Sequence, residues 1–189
     1  MRKRSSRRTD KAGYSVVEMT VVMGVMAVVA GMAIVQINAS RPGLKGDGAM
    51  RVVFGQFMQA RELAITQRRY MRVVVTPPNL IQIVREDTVN TTTTISSVTL
   101  EGGVQFTLIG GLPDTPDGFG MGGAVDFGSA VNVKFAPDGT LVDQNGLLRN
   151  GSVFLAIPQT ALSARAITVL GSTGRIRAYK WNGRAWTLV

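Results

Sequence analysis

Cysteine and histidine are both absent from this 189-residue chain. That excludes disulfides, Cys/His zinc sites, cysteine nucleophiles and histidine general bases. Most hydrolase chemistry goes with them, and no carboxylate pair stands at a telling spacing. Neither an enzyme nor a bound cofactor is expected. Acid is missing from the C-terminal end: no Asp or Glu follows Arg149, whereas Arg165, Arg175, Arg177, Lys180 and Arg184 do. Charge of either sign is missing between Glu18 and Arg41.

The net charge of +9 is unevenly placed. The segment through Gly13 holds six cations (Arg2, Lys3, Arg4, Arg7, Arg8, Lys11) and one acid, Asp10. Directly after it come Gly13-Tyr14-Ser15-Val16-Val17-Glu18 and then a stretch that is apolar or small from Met19 to Val35. Counted to Ser40, the uncharged run is 22 residues, long enough to cross about 30 Å of hydrocarbon as a helix. Because the cations precede it, the positive-inside rule keeps the N-terminus cytoplasmic and exports the rest.

Several kinds of segment share this outline. A secretory signal has a shorter apolar core and a small-x-small cut site, for which Ile37-Asn38-Ala39 is a poor candidate. A twin-arginine signal is hinted at by Ser6-Arg7-Arg8, but Thr9-Asp10 follows where apolar residues belong. A plain signal anchor accounts for the length and the charge. It does not account for a glycine just before the run, or for Glu18, a carboxylate that costs energy near hydrocarbon unless it is paired.

Gly13-Tyr14-Ser15-Val16-Val17-Glu18 resembles the class III leader of type IV prepilins and type II secretion pseudopilins, with Tyr14 in place of the commoner Phe. The resemblance implies cleavage after Gly13 by a prepilin peptidase, N-methylation of Tyr14, and pairing of Glu18 with the N-terminal amine of a neighbouring subunit. Ala60-Arg61-Glu62-Leu63-Ala64 before a Val-rich strand, together with Phe135-Ala136-Pro137-Asp138-Gly139-Thr140, is similar to the GspH/FimT branch of minor pseudopilins. It covers residues 1 to about 76 well and 132 onward loosely. It implies a bacterial inner-membrane protein, single-pass, with a periplasmic C-terminal domain and other pilins or pseudopilins as partners. No small-molecule substrate is implied.

The remainder divides by periodicity. Gly24 and Gly31, seven apart, fall near one helix face; they permit close helix approach or simply reflect the frequency of glycine in membrane helices. Arg41-Pro42-Gly43, with Gly46 and Gly48, predicts an interruption or kink. From Ala49 to about Tyr70 the spacing of Val53, Phe57, Ala60 and Ala64 predicts an amphipathic helix. Beyond it the period falls to two, with short strands expected at 72–76, 80–84, 98–100, 104–109, 124–127, 131–135, 153–157, 166–170, 175–181 and 185–189. Residues 90–97 are expected as an exposed loop or edge strand. The expectation is α+β and pilin-like: a leader (1–13), an assembly helix (14–40), an amphipathic helix (41–70) and a small antiparallel β domain (71–189).

Two local patterns carry little weight. Gly118-Phe119-Gly120-Met121-Gly122-Gly123 matches a dinucleotide fingerprint but lacks the preceding strand and following helix, so it reads as a loop. Asp114, Asp117 and Asp126 match no EF-hand spacing and read as solvated turn carboxylates. The sequons Asn90-Thr91-Thr92 and Asn150-Gly151-Ser152 mean little in a bacterial protein.

Asn182-Gly183 predicts a two-residue hairpin turn, pairing Trp181 with Arg184 and Tyr179 with Trp186. Alternation then puts Arg175, Arg177, Tyr179, Trp181, Arg184 and Trp186 on one face, and Ile176, Ala178 and Lys180 on the other. Such a face suits phosphates and stacked bases; equally, the aromatics pack inward as core. Gly174-Arg175-Ile176-Arg177 resembles the tail motif of FimT-type pilins that capture DNA, which implies Arg175, Arg177, Lys180, Arg184 and Trp181 as DNA contacts. Two functions follow: a filament subunit, or an anchored DNA receptor.

Overall fold

The computed structural model describes residues 15–88, 91–130 and 132–189, with the side chains of all but 35–39. The chain divides into two compact units, Met1–Ser40 and Arg41–Val189, within an α+β architecture. Helix α1 runs Val16–Gln67 and its helical assignment passes through Pro42 without a break. Of the two alternatives expected at 41–43, an interruption or a kink, the interruption is therefore absent. The reason is visible in the second unit. The Gly43 carbonyl accepts a bond from Arg165 Nη2 at 2.8 Å, and a side chain at Gly46 would strike the Ser163 carbonyl. Gly46 thus admits a neighbouring segment rather than ending the helix.

In the first unit, the apolar residues Val16, Val17, Met19, Val21, Met23, Val25, Val28, Met32 and Ile34 are all exposed. In the second, Val53, Phe57, Ala60 and Ala64 are each 0% exposed, so the predicted stripe is the buried one. It packs into a core drawn from two antiparallel sheets.

The first sheet has the order β3-β2-β1-β5-β6, from β1 (Met71–Thr76), β2 (Leu80–Thr88), β3 (Thr91–Thr99), β5 (Lys134–Phe135) and β6 (Leu141–Val142). The second has the order β10-β9-β8-β7-β4, from β4 (Val125–Asp126), β7 (Gly151–Leu155), β8 (Arg165–Leu170), β9 (Arg175–Trp181) and β10 (Trp186–Leu188). Inward residues Met71, Val73, Ile81 and Ile83 of the first sheet meet Val153, Leu155, Ile167 and Val169 of the second and the α1 stripe. Phe57 meets Phe135 edge-on with centroids 6.4 Å apart.

Residues 91–99 form an edge strand, one of the two expected alternatives, with most side chains exposed. Residues 104–109 do not form the expected strand; Gln105 makes one isolated bridge to Ala156. Their apolar character has another cause. Val104 and Phe106 enter the main core, while Leu108 and Ile109 cover a second cluster on the outer face of the second sheet. β6 was not expected, being two residues long, and Val131 lies outside the described residues.

Three short motifs from distant parts of the chain meet at one point. Asp138 Oδ1 accepts bonds from the Thr140 amide and hydroxyl, closing the Pro-Asp-Gly-Thr turn. Arg61 of α1 donates Nε to the Gly139 carbonyl and Nη2 to the Thr173 carbonyl, both at 3.2 Å. Gly174 has φ +60°, and a Cβ there would collide with the Gly139 carbonyl oxygen. Helix, first sheet and second sheet are thus tied where no side chain fits. Gly174→Ala is expected to cost about 2–4 kcal/mol, from the left-handed backbone plus overpacking. Urea unfolding measures it, and an unchanged midpoint would contradict the geometry.

Candidate functional site

The candidate assembly determinants lie at the start of α1. Gly13 and Tyr14, the expected processing and methylation positions, lie outside the described residues. Glu18 sits in the first turn of α1 and is exposed. Nearby, Thr20 Oγ1 donates to the Val17 carbonyl at 2.8 Å, which satisfies the one hydroxyl of the apolar run without an outside partner. Residues Val16–Ile34 have a mean hydropathy of 2.1 with none of the segment buried. They form a helix long and apolar enough to cross a membrane. Around Gly24 and Gly31 there is open space.

The C-terminal hairpin departs from its expected register. Trp186 pairs with Trp181, Thr187 with Lys180 and Leu188 with Tyr179. Asn182 to Ala185 therefore form a four-residue loop, not a two-residue turn. Asn182 sets it: its Oδ1 accepts both the Arg184 and Ala185 amides at 2.9 Å. Its own amide donates to the Ala185 carbonyl. A side chain able to cap the loop this way competes with the tight turn that Asn-Gly favours.

The shift is by two residues, so Tyr179, Trp181 and Trp186 still share one face and only Arg184 leaves it for the loop; that face is covered, which is the inward-packing alternative. Tyr179, Trp181 and Trp186 are buried together with Phe154 and Ala166. The two indoles meet at 5.4 Å, nearly edge-on, and Trp186 Nε1 donates to the Pro113 carbonyl at 2.8 Å. Trp181 is thus a core residue and offers no ring for a base. The covering segment includes Leu108, Ile109, Leu112 and Met121. Lys180 lies on the opposite side of β9, as alternation predicts, with Nζ 3.5 Å from Asp47 of α1. Arg175 and Arg184 are exposed.

Arg177 is held in a polar cluster that the sequence reading missed. Its Nη1 donates to Asp117 Oδ1 at 2.6 Å. The hydroxyls of Thr168 and Tyr179 donate to Asp117 Oδ2 at 2.6 and 2.9 Å. Asp117 was expected to be solvated; its side chain is 8% exposed. Asp114 and Asp126 do act as turn carboxylates, accepting the amides of Thr115 and Gly120 and of Gly122 and Gly128 respectively. Among the described residues no group of three or more acidic side chains is placed to hold a metal ion. The 118–123 stretch is a loop, as expected.

Comparison with family models, with curated proteins and with solved structures gave no match. Function therefore rests on these residues themselves.

Burial alone would raise the Asp117 carboxyl, but the bonds from Thr168, Tyr179 and Arg177, with the Arg177 charge, hold it below the ordinary carboxylate range. A depressed folded-state pKa gives stability that is present above the unfolded value, near 3.9, and lost as pH falls through the folded one. Asp117→Ala should cost about 1–3 kcal/mol at pH 7, because the Thr168 and Tyr179 hydroxyls lose their acceptor. It should also flatten the decline in stability below about pH 5. Denaturant titrations across pH check both; parallel wild-type and variant curves would contradict the assignment.

Proposed function

We propose that the chain is a minor pilin or pseudopilin: cut after Gly13 by a prepilin peptidase, N-methylated at Tyr14, held in the bacterial inner membrane by α1, and built into a type IV pilus or type II secretion pseudopilus. The observation that carries this reading is an apolar helix with every described face exposed from Val16 to Ile34 and a carboxylate, Glu18, in its first turn. Among the described residues nothing covers this helix, and lipid or copies of itself would supply the cover. Cleavage before the run leaves the helix on the mature protein, so one segment serves first as anchor and then as filament core.

Glu18 fits the second step. A carboxylate entering an apolar bundle is costly alone and tolerable when a cation neutralises it. The free amine that processing exposes at Tyr14 on an adjoining subunit is that cation. The pair sets axial register between subunits, because only one stagger brings amine and acid together.

The Arg61 junction supports the pilin-like reading of the second unit. It unites the Ala-Arg-Glu-x-Ala, Pro-Asp-Gly-Thr and Gly-Arg-x-Arg elements, which carry the family resemblance, at one packing point. The DNA-receptor reading is not adopted, since Arg177 is paired with Asp117, Lys180 approaches Asp47 on the other side of β9, and Trp181 is core.

Glu18→Ala should leave the chain in the membrane fraction and reduce its recovery in sheared filaments by about tenfold or more, the equivalent of losing about 1.4 kcal/mol per contact. Immunoblotting of both fractions reads this. Normal incorporation of the alanine variant would contradict the proposal.

A further inference from the structure

We infer that the end of the second unit formed by Arg41–Asp47, the 3-10 turn Ala161–Ser163 and the Asn182–Ala185 loop is a docking face for the surface of an anionic phospholipid bilayer. The inference rests on the anchor reading above and adds a contact made by the globular unit itself.

These three segments form one continuous surface. The buried Arg165 guanidinium reaches the Leu162 carbonyl at 3.0 Å and the Gly43 carbonyl at 2.8 Å, and its Nε donates to Asp47 at 2.7 Å. A Cβ placed on Gly183 would lie 3.5 Å from Leu162 Cδ2. Lys180 reaches across to Asp47. A fully buried arginine bound to Asp47 and to the Gly43, Leu162 and Ala164 carbonyls ties these segments into one built surface.

Its outward chemistry suits a lipid headgroup layer. Leu44 is 68% and Leu162 54% exposed, one large apolar side chain on α1 and one on the 3-10 turn. Arg41, Lys45 and Arg184 are exposed around them, and Lys180 is 44% exposed at its side chain. The acids here are Asp47, already bound by Arg165 and Lys180, and Glu101 beside Gly102, which abuts Lys45. Cations interleaved with aliphatic tips are the pattern that binds the phosphate and glycerol levels of a bilayer, at about 1 kcal/mol per cation near an anionic surface.

Covalent reach favours lipid over a second copy of this chain. Seven residue steps separate Ile34, the last described residue of the apolar stretch, from Arg41. Even fully extended they span at most about 25 Å, so an anchored chain cannot carry this face far from the headgroups. Two copies of the face brought together would set cation against cation.

The test uses the full chain in nanodiscs holding one molecule each. The chain has no cysteine, so single Leu162→Cys and Thr66→Cys variants can carry an environment-sensitive dye. Thr66 is exposed and lies 22 residues beyond Leu44 on α1, roughly 33 Å along the helix. In discs of one part phosphatidylglycerol to two parts phosphatidylcholine, a headgroup spin label should quench the dye at position 162 and not that at 66. Pure phosphatidylcholine or 1 M salt, where the Debye length is about 3 Å, should abolish the difference. Each of Arg41→Gln, Lys45→Gln and Arg184→Gln should weaken the docked population about fivefold. Equal quenching at 162 and 66 in a chain that resists alkaline extraction from the bilayer overturns the inference and leaves the anchor intact. A chain that alkali extracts overturns both. Protection of position 162 only in discs holding two chains assigns the face to a second copy and likewise overturns the inference.

Discussion

One helix carries two incompatible surfaces, and the rest of the structure follows from that constraint. Up to Ile34, α1 is apolar or small apart from Glu18 and Thr20, and exposed on every face. From Ala49 onward it is apolar along a single stripe. The stripe is satisfied internally, by both sheets closing on Val53, Phe57, Ala60 and Ala64. Among the described residues the first half finds no such cover, and at about 25 cal/mol per Å² of apolar surface its exposure is costly in water.

The globular unit is held to the second half of the helix by more than hydrophobic contact. Arg165, 0% exposed, fastens residues 43–47 of α1 to the second sheet. Arg61 fastens its middle to both sheets through backbone carbonyls. Asp117 fastens the long 104–123 connection across the outer face of β8 and β9. Each clamp joins segments distant in sequence. Each also leaves a buried charge or donor uncompensated if one partner is lost, so these points specify one arrangement of the sheets.

Much of this was legible in the residues. The stripe at 53, 57, 60 and 64 announced both the helix and its buried face, because a period of 3.6 has few other meanings. The strands around 72–76, 80–84, 166–170 and 175–181 announced themselves by a period of two in β-branched and aromatic residues, and Pro-Asp-Gly marked its turn. The misreadings share a cause: local signals overridden by distant partners. Pro42 and its glycines look like a break, yet the helix continues and Gly46 makes room for Ser163 and Arg165. Asn182-Gly183 looks like a tight turn, yet the Asn182 side chain caps a longer loop, and that shift put Trp186 opposite Trp181. Residues 104–109 alternate like a strand because they cross from one core to another. Asp117 looks like one loop carboxylate among three; only the fold brings Arg177, Tyr179 and Thr168 to it. No pattern within reach of a local window could have found that cluster.

The central claim is that the apolar half of α1 is unmasked by cleavage and then shared among subunits. Intact-mass and terminal-peptide spectrometry of the native membrane form tests it most directly. The account predicts a chain that lacks its first thirteen residues and begins with N-methylated Tyr14. A native polypeptide that still carries Met1 to Gly13, or one cut within or after the apolar run, would contradict it.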